Sequence, residues 1–133
     1  MRLYVDANFA SPYALPAFVS LIEKGLDFDI ETLDLAAHAN HDPNFAKTSI
    51  TRRVPTLIDD GFALSESSAI CEYLDETFAG TPLYPTDPRN RARARQIQAW
   101  EAGTLTMVAS IADHPPMGDR ETAALVSRIA SID

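Results

Sequence analysis

Between Arg2 and Leu35 the spacing of apolar residues changes from two to about 3.6 and back to two, the pattern of a strand, a helix and a second strand. Arg2-Leu3-Tyr4-Val5-Asp6 alternates, Ala7 to Ala10 turns, and Ser11-Pro12 offers a helix N-cap followed by proline at the first helical position. Leu15, Phe18, Val19 and Ile22 then recur at helical spacing, and Glu23-Lys24-Gly25 supplies a charged last turn with a glycine stop. Pro16 lies just beyond the four N–H groups that have no helical partner, so it costs about one hydrogen bond rather than the helix. Phe28 to Leu35 alternates again. Two strands joined through a helix in this way form a parallel pair with a right-handed crossover.

Ala36 to Arg53, rich in His, Asn, Asp and Thr, has weak periodicity and reads as a long loop with at most one short helix. Val54 to Asp59 is a third strand, Asp60-Gly61 a hairpin turn and Phe62-Ala63-Leu64 a fourth strand. Ser65 to Phe78 follows as a helix with Ile70, Tyr73, Leu74 and Thr77 on one face. Gly80 to Pro88 contains Pro82, Pro85 and Pro88 and reads as a linker. One long helix is expected from Arg89 to about Ala112, and a short one capped by Asp119 is expected to run to Ile132 after His114-Pro115-Pro116-Met117-Gly118. The expected class is α/β, strand–helix–strand then strand–strand–helix over 1–79, a linker over 80–88 and a partial all-α domain over 89–133.

A formal charge of −8 argues against a nucleic-acid partner, which would draw its affinity from clustered Lys and Arg. The longest apolar stretch, Ala14 to Ile22, is interrupted by Pro16 and Ser20, so no membrane association and a cytoplasmic location are expected. The single cysteine, Cys71, leaves no intramolecular disulfide and no dithiol couple, and reads as a small buried hydrophobe. His38 and His41 match no closed ligand set, so no metal is expected and both read as solvated loop residues. Arg91, Arg93 and Arg95 read as a solvated face or as intersubunit ion-pairing groups.

Three motifs stand in order along the first domain. Phe9-Ala10-Ser11-Pro12-Tyr13 resembles the first-helix serine motif of glutathione S-transferases, Arg52-Arg53-Val54-Pro55 their cis-proline turn, and Leu64-Ser65-Glu66-Ser67-Ser68-Ala69-Ile70 their γ-glutamyl clamp. Tyr84-Pro85 with Asn90 to Trp100 resembles the bacterial YfcF-like branch, and the likeness fades beyond about Trp100. The resemblance implies a thioredoxin-like N-terminal domain and a helical second domain cut short. It also implies attack of a glutathione thiolate on a small electrophile, with glutathione as cosubstrate and no prosthetic group.

By that resemblance Ser11 stabilises the thiolate, Glu66 and Ser67 hold the γ-glutamyl end, and Val54 with Pro55 presents backbone to the cysteinyl part. Arg53 or Lys47 meets the glycyl carboxylate. A free thiol with a pKa of about 8.5 is only slightly ionised at neutral pH. Lowering it by two units takes about 2.7 kcal/mol, within reach of a donating hydroxyl at a helix start. From position alone Ser11 is only an N-cap, with Asn8 and Tyr13 as neighbouring donors, and Ser65-Glu66-Ser67-Ser68 is only a capping sequence. A non-catalytic glutathione-binding or interaction module, or a glutathione-dependent peroxidase or reductase, would use the same site. Leu105, Val108, Ile111, Leu125, Ile129 and Ile132 can cover one another only partly, so a homodimer is expected.

Overall fold

The structure, a computed structural model, describes residues 1–112 and the side chains of residues 1–103. The expected helix from Asp119 and the side chains of Leu105, Val108 and Ile111 lie outside the described residues. Residues Met1–Gln98 form one compact unit, and a second begins at Ala99.

The first unit carries strand β1 (Arg2–Asp6), helix α1 (Ala14–Glu23), β2 (Asp29–Leu33), α2 (Pro43–Thr48), β3 (Thr56–Asp59), β4 (Phe62–Ser65) and α3 (Ser67–Thr77). Helix α4 (Pro88–Ala112) starts in this unit and runs into the second. The strands form one sheet in the order β2-β1-β3-β4, with β1 and β2 parallel and the other pairs antiparallel. This is the thioredoxin-like arrangement that the resemblance implies. The β3–β4 hairpin turns on Asp60 (φ 44°) and Gly61 (φ 84°), two left-handed residues that match the twist of the flanking strands.

Alternation sends Leu3, Val5 and Leu57 to one face of the sheet, where they meet Ala14, Ala17 and Leu21 of α1 and Ile70 and Leu74 of α3. Tyr4 points to the other face and packs on Phe45 of α2, the ring centroids 5.2 Å apart. Helix α1 buries its small residues. Ala14, Ala17, Ser20 and Leu21 face inward, whereas Leu15, Val19 and Ile22 are 60%, 43% and 55% exposed. The bulky residues that signal the helix in the sequence are therefore mostly on its outer side, because close packing against the sheet and α3 favours small side chains.

The start of α1 departs from expectation. Ser11 is not the N-cap: the helix begins at Ala14, and Tyr13 occupies the cap position without a side-chain cap bond. Pro16 consequently stands third in the helix, where its missing N–H would have had no partner. The long loop behaves in the opposite way. Asp42 caps α2, its carboxylate accepting from the Asn44 N–H at 2.8 Å with Pro43 at the first helical position.

A buried ion pair ties α1 to α3. The Lys24 ammonium lies 3.0 Å from Asp75 Oδ1, their side chains 3% and 8% exposed, and it also donates to the carbonyl oxygens of Asp75 and Phe78. Asp75 accepts from the Leu83 N–H at 2.8 Å and faces Arg91 at 3.5 Å. Burial works to raise the Asp75 carboxyl, but the Leu83 N–H, Lys24 and Arg91 outweigh it and hold the group below its ordinary range. Arg91 also pairs with Glu76 and lies over the Tyr84 ring, and Arg95 makes a two-pronged pair with Glu72 at 2.6 and 2.8 Å. The Arg95 bonds hold the Glu72 carboxyl down, against a weaker opposing effect of burial. Arg91 and Arg95 thus serve contacts within the chain, and Arg93 bonds Gln96.

Candidate functional site

Strand register decides which loops meet. Tyr4 of β1 stands opposite Thr56 of β3, and Thr56 stands opposite Ser65 of β4. The chain therefore leaves β1 through Asp6, enters β3 from Pro55 and leaves β4 through Glu66, all at one end of the sheet. The β1–α1 loop with Ser11, the Arg53-Val54-Pro55 turn and the Glu66-Ser67 corner are brought together there. These are the segments that carry the three sequence motifs.

Asp6, the last residue of β1, organises the first of them. Its carbonyl oxygen accepts from the Phe9 N–H at 3.0 Å, and its carboxylate oxygens accept from the N–H groups of Ala10 (2.8 Å) and Ser11 (2.9 Å). Phe9 adopts a left-handed φ of 51° to make this turn, and a further turn from the Ser11 carbonyl to the Ala14 N–H leads into α1. Ser11 is half-buried. In the sequence Asp6 reads only as the end of a strand. An acid ending a central strand, followed by a short loop with donors four and five residues on, is the sequence signal for this role.

The second and third segments are joined by buried hydroxyls. Thr56 Oγ1 donates to the Arg53 carbonyl at 2.8 Å and lies 2.9 Å from Ser49 Oγ and 3.1 Å from Ser65 Oγ, while the two serine oxygens are 3.0 Å apart. Ser49 and Thr56 are wholly buried and Ser65 nearly so. The cluster thereby fastens the end of α2, the start of β3 and the end of β4. The Val54–Pro55 peptide bond is cis, and Pro55 is buried beside a half-buried Val54. Arg52, left-handed at φ 54°, has its carbonyl held by the Asn40 side chain at 2.9 Å.

At the third segment Ser65 belongs to β4, so α3 starts at Ser67. Glu66 is the N-cap at φ 75° and ψ 120° and makes no side-chain cap bond, so the capping sequence does not act as one. Its exposed side chain is not engaged in capping, and Ser67 is half-buried at the head of the helix. Arg53, Lys47 and Asn8 are exposed, and Tyr13 is half-buried. Lys47 lines an open cleft beside α2 with Arg2, Tyr4 and Asp60, and that cleft contains none of the other candidate residues.

Other candidates lie elsewhere. His38 and His41 are exposed, with ring centroids 5.8 Å apart, and among the described residues no group of three His, Cys, Asp or Glu could hold a metal ion. Cys71 is buried on α3 and accepts a hydrogen bond from Ser20 Oγ at 3.2 Å. Burial pushes its thiol up, against a smaller downward pull from Ser20. Among the described residues no helix is long and apolar enough to cross a membrane.

Comparison with known proteins gives a concordant result. A family model for the glutathione S-transferase N-terminal domain matches residues 10–77, just over half of the chain. Protein LigF of Sphingobium sp. strain SYK-6 is 37% identical over 89 residues, covering 65% of this chain and 35% of LigF. A probable maleylacetoacetate isomerase of Caenorhabditis elegans is 38% identical over 79 residues, covering 59% of this chain and 36% of the isomerase. The chain spans about a third of the length of these curated relatives. A glutathione transferase homologue from Burkholderia BGR1, crystallised with bound glutathione, superposes with a TM-score of 0.68 at 51% identity, covering 74% of this chain and 54% of that one.

Proposed function

Since the chain belongs to the glutathione S-transferase family through its N-terminal domain, we propose that it binds glutathione at the end of the sheet where its three motifs converge and directs the thiolate at a small electrophile. The observation that carries this reading is the β1–β3–β4 register, which brings Ser11, Val54-Pro55 and Glu66-Ser67 to one place. Ser11 donates its hydroxyl to the ionised sulfur. Val54 offers backbone to the cysteinyl part beside Pro55, as an added strand would be met. Glu66 accepts from the γ-glutamyl ammonium, and Ser67 with the first N–H groups of α3 takes the adjoining carboxylate. Arg53 meets the glycyl carboxylate. The exposed Glu66 side chain, not engaged in capping, supports the clamp role.

The same proposal covers the finer assignments. The YfcF-like branch rests on Tyr84-Pro85 and Asn90 to Trp100, and the domain division on 1–79, 80–88 and 89–133. The protein acts in the cytoplasm as a homodimer, and light scattering should report a mass of twice 14.6 kDa.

Calorimetric titration of glutathione tests the site. Glu66→Ala is expected to weaken binding by about 1.5–3 kcal/mol through loss of a charge-assisted hydrogen bond. Equal affinity in the variant would move the clamp to another residue. Turnover of a generic aryl halide separates a transferase from a module that only binds, and peroxide consumption would indicate the peroxidase chemistry.

A further inference from the structure

We propose that Asp6 is a positioning residue for Ser11, an inference that rests on the thiolate-stabilising role assigned to that serine. A carboxylate at the end of the sheet's central region would ordinarily reach for water or a cation. Asp6 is only 7% exposed, and its two oxygens are used one each on the N–H groups of Ala10 and Ser11. Its own backbone carbonyl takes the Phe9 N–H, so one residue supplies three acceptors to a loop of seven residues between β1 and α1. The strand itself is held on both sides, Asp6 facing Leu33 in β2 and Tyr4 facing Thr56 in β3. Ser11 is thereby referenced to the sheet rather than to α1, whose first residue comes three positions later.

This arrangement explains how a serine outside the helix keeps a defined place. Its N–H direction is fixed by a charge-assisted bond, which is shorter and stronger than a neutral one. Its carbonyl is fixed by the turn to Ala14 at 3.1 Å. With both backbone groups of Ser11 engaged, its side-chain torsion is the main remaining freedom.

The test follows the thiolate absorbance of bound glutathione as a function of pH in Ser11→Ala, Asp6→Ala and the double variant, with glutathione affinity measured alongside. Asp6→Ala should raise the apparent thiol pKa by about one unit, the worth of one charge-assisted hydrogen bond, with affinity within a few fold. In the Ser11→Ala background the same change should add nothing, since positioning acts only through the hydroxyl. An equal rise in both backgrounds would mean that Asp6 does not act through the Ser11 hydroxyl, and a fall, the sign expected from removing a nearby negative charge, would mean that it acts through its charge; either would overturn the proposal. No shift in Asp6→Ala, with Ser11→Ala showing its own, would overturn it while leaving the role of Ser11 intact. No shift in Ser11→Ala would instead remove the reading on which it rests. Asp6→Asn, which keeps one acceptor oxygen and the same shape, serves if the alanine variant does not fold and should give a partial shift. On the unaltered chain, the Ala10 and Ser11 amide protons should exchange with solvent about as slowly as those of α1, and rapid exchange at Ser11 would equally overturn the assignment.

Discussion

Replacing Asp75 by alanine should lower the stability of the first unit by about 3–5 kcal/mol, the usual result of removing one partner from a buried pair. The loss would be large against a typical total of about 5–15 kcal/mol. Lys24 would be left with an ammonium 3% exposed and only two carbonyl oxygens for company, while the Leu83 N–H and Arg91 would lose an acceptor. Urea denaturation followed by circular dichroism reads the effect as a fall in the midpoint. Replacing both members, Lys24→Met with Asp75→Leu, should recover much of it, because an apolar pair leaves no charge unpaired.

The same pair sets a pH dependence. Asp75 is held below its unfolded pKa of about 3.9, so its contribution is complete above that value and is lost as pH falls through the lower folded value. The difference between the parent chain and Asp75→Ala should therefore be constant near neutrality and shrink in acid. A difference that stayed the same to the lowest measurable pH would show that the carboxylate charge is not what matters.

The second large effect concerns Ser11→Ala. Bound glutathione should lose most of its thiolate near neutral pH, the titration midpoint rising by about one to two units, with affinity changed only a few fold. Most of the magnitude falls on the hydroxyl. Helix-terminus stabilisation fades within the first turn, and Ser11 stands three residues before α1, so the dipole contributes less than a true N-cap would receive. A donor to a charged sulfur is worth about 1.5–3 kcal/mol, which converts to the shift stated. Unchanged thiolate absorbance would transfer the role to another donor, with Tyr13 and Asn8 as the neighbours to examine.

How far the sequence could be read depended on whether the relevant force was local. Alternation in Arg2–Asp6 and Asp59-Asp60-Gly61-Phe62 encodes strands and hairpin directly, since side-chain period and turn chemistry act over a few residues. Ser11-Pro12 and Asp42-Pro43 show the limit. Both have an N-cap residue before proline, yet only Asp42 caps a helix; Ser11 sits in a loop tied back to Asp6, and α1 starts three residues after it. The buried side of α1 was hidden for a related reason. Its bulkiest apolar residues lie outward, and only the neighbouring sheet and α3 reveal that Ala14, Ala17 and Ser20 are the contact. For the candidate site, the three motifs were legible in sequence, whereas Asp6 and the Ser49–Thr56–Ser65 cluster were not. The cluster's bonds depend on strand register and span seven to sixteen residues, while the Asp6 bonds, only four and five residues long, depend on a left-handed turn at Phe9 that the residue types there do not announce.

Cys71 gives the fold an internal clock. It is the chain's single cysteine, buried on α3 and bonded to Ser20 of α1, with its thiol kept protonated by burial. Alkylating reagents require both access and the thiolate, so they can reach this sulfur only when the α1–α3 contact parts. The rate at which the chain takes up one equivalent of reagent then counts openings of that contact, and no other sulfhydryl in the sequence contributes to the signal.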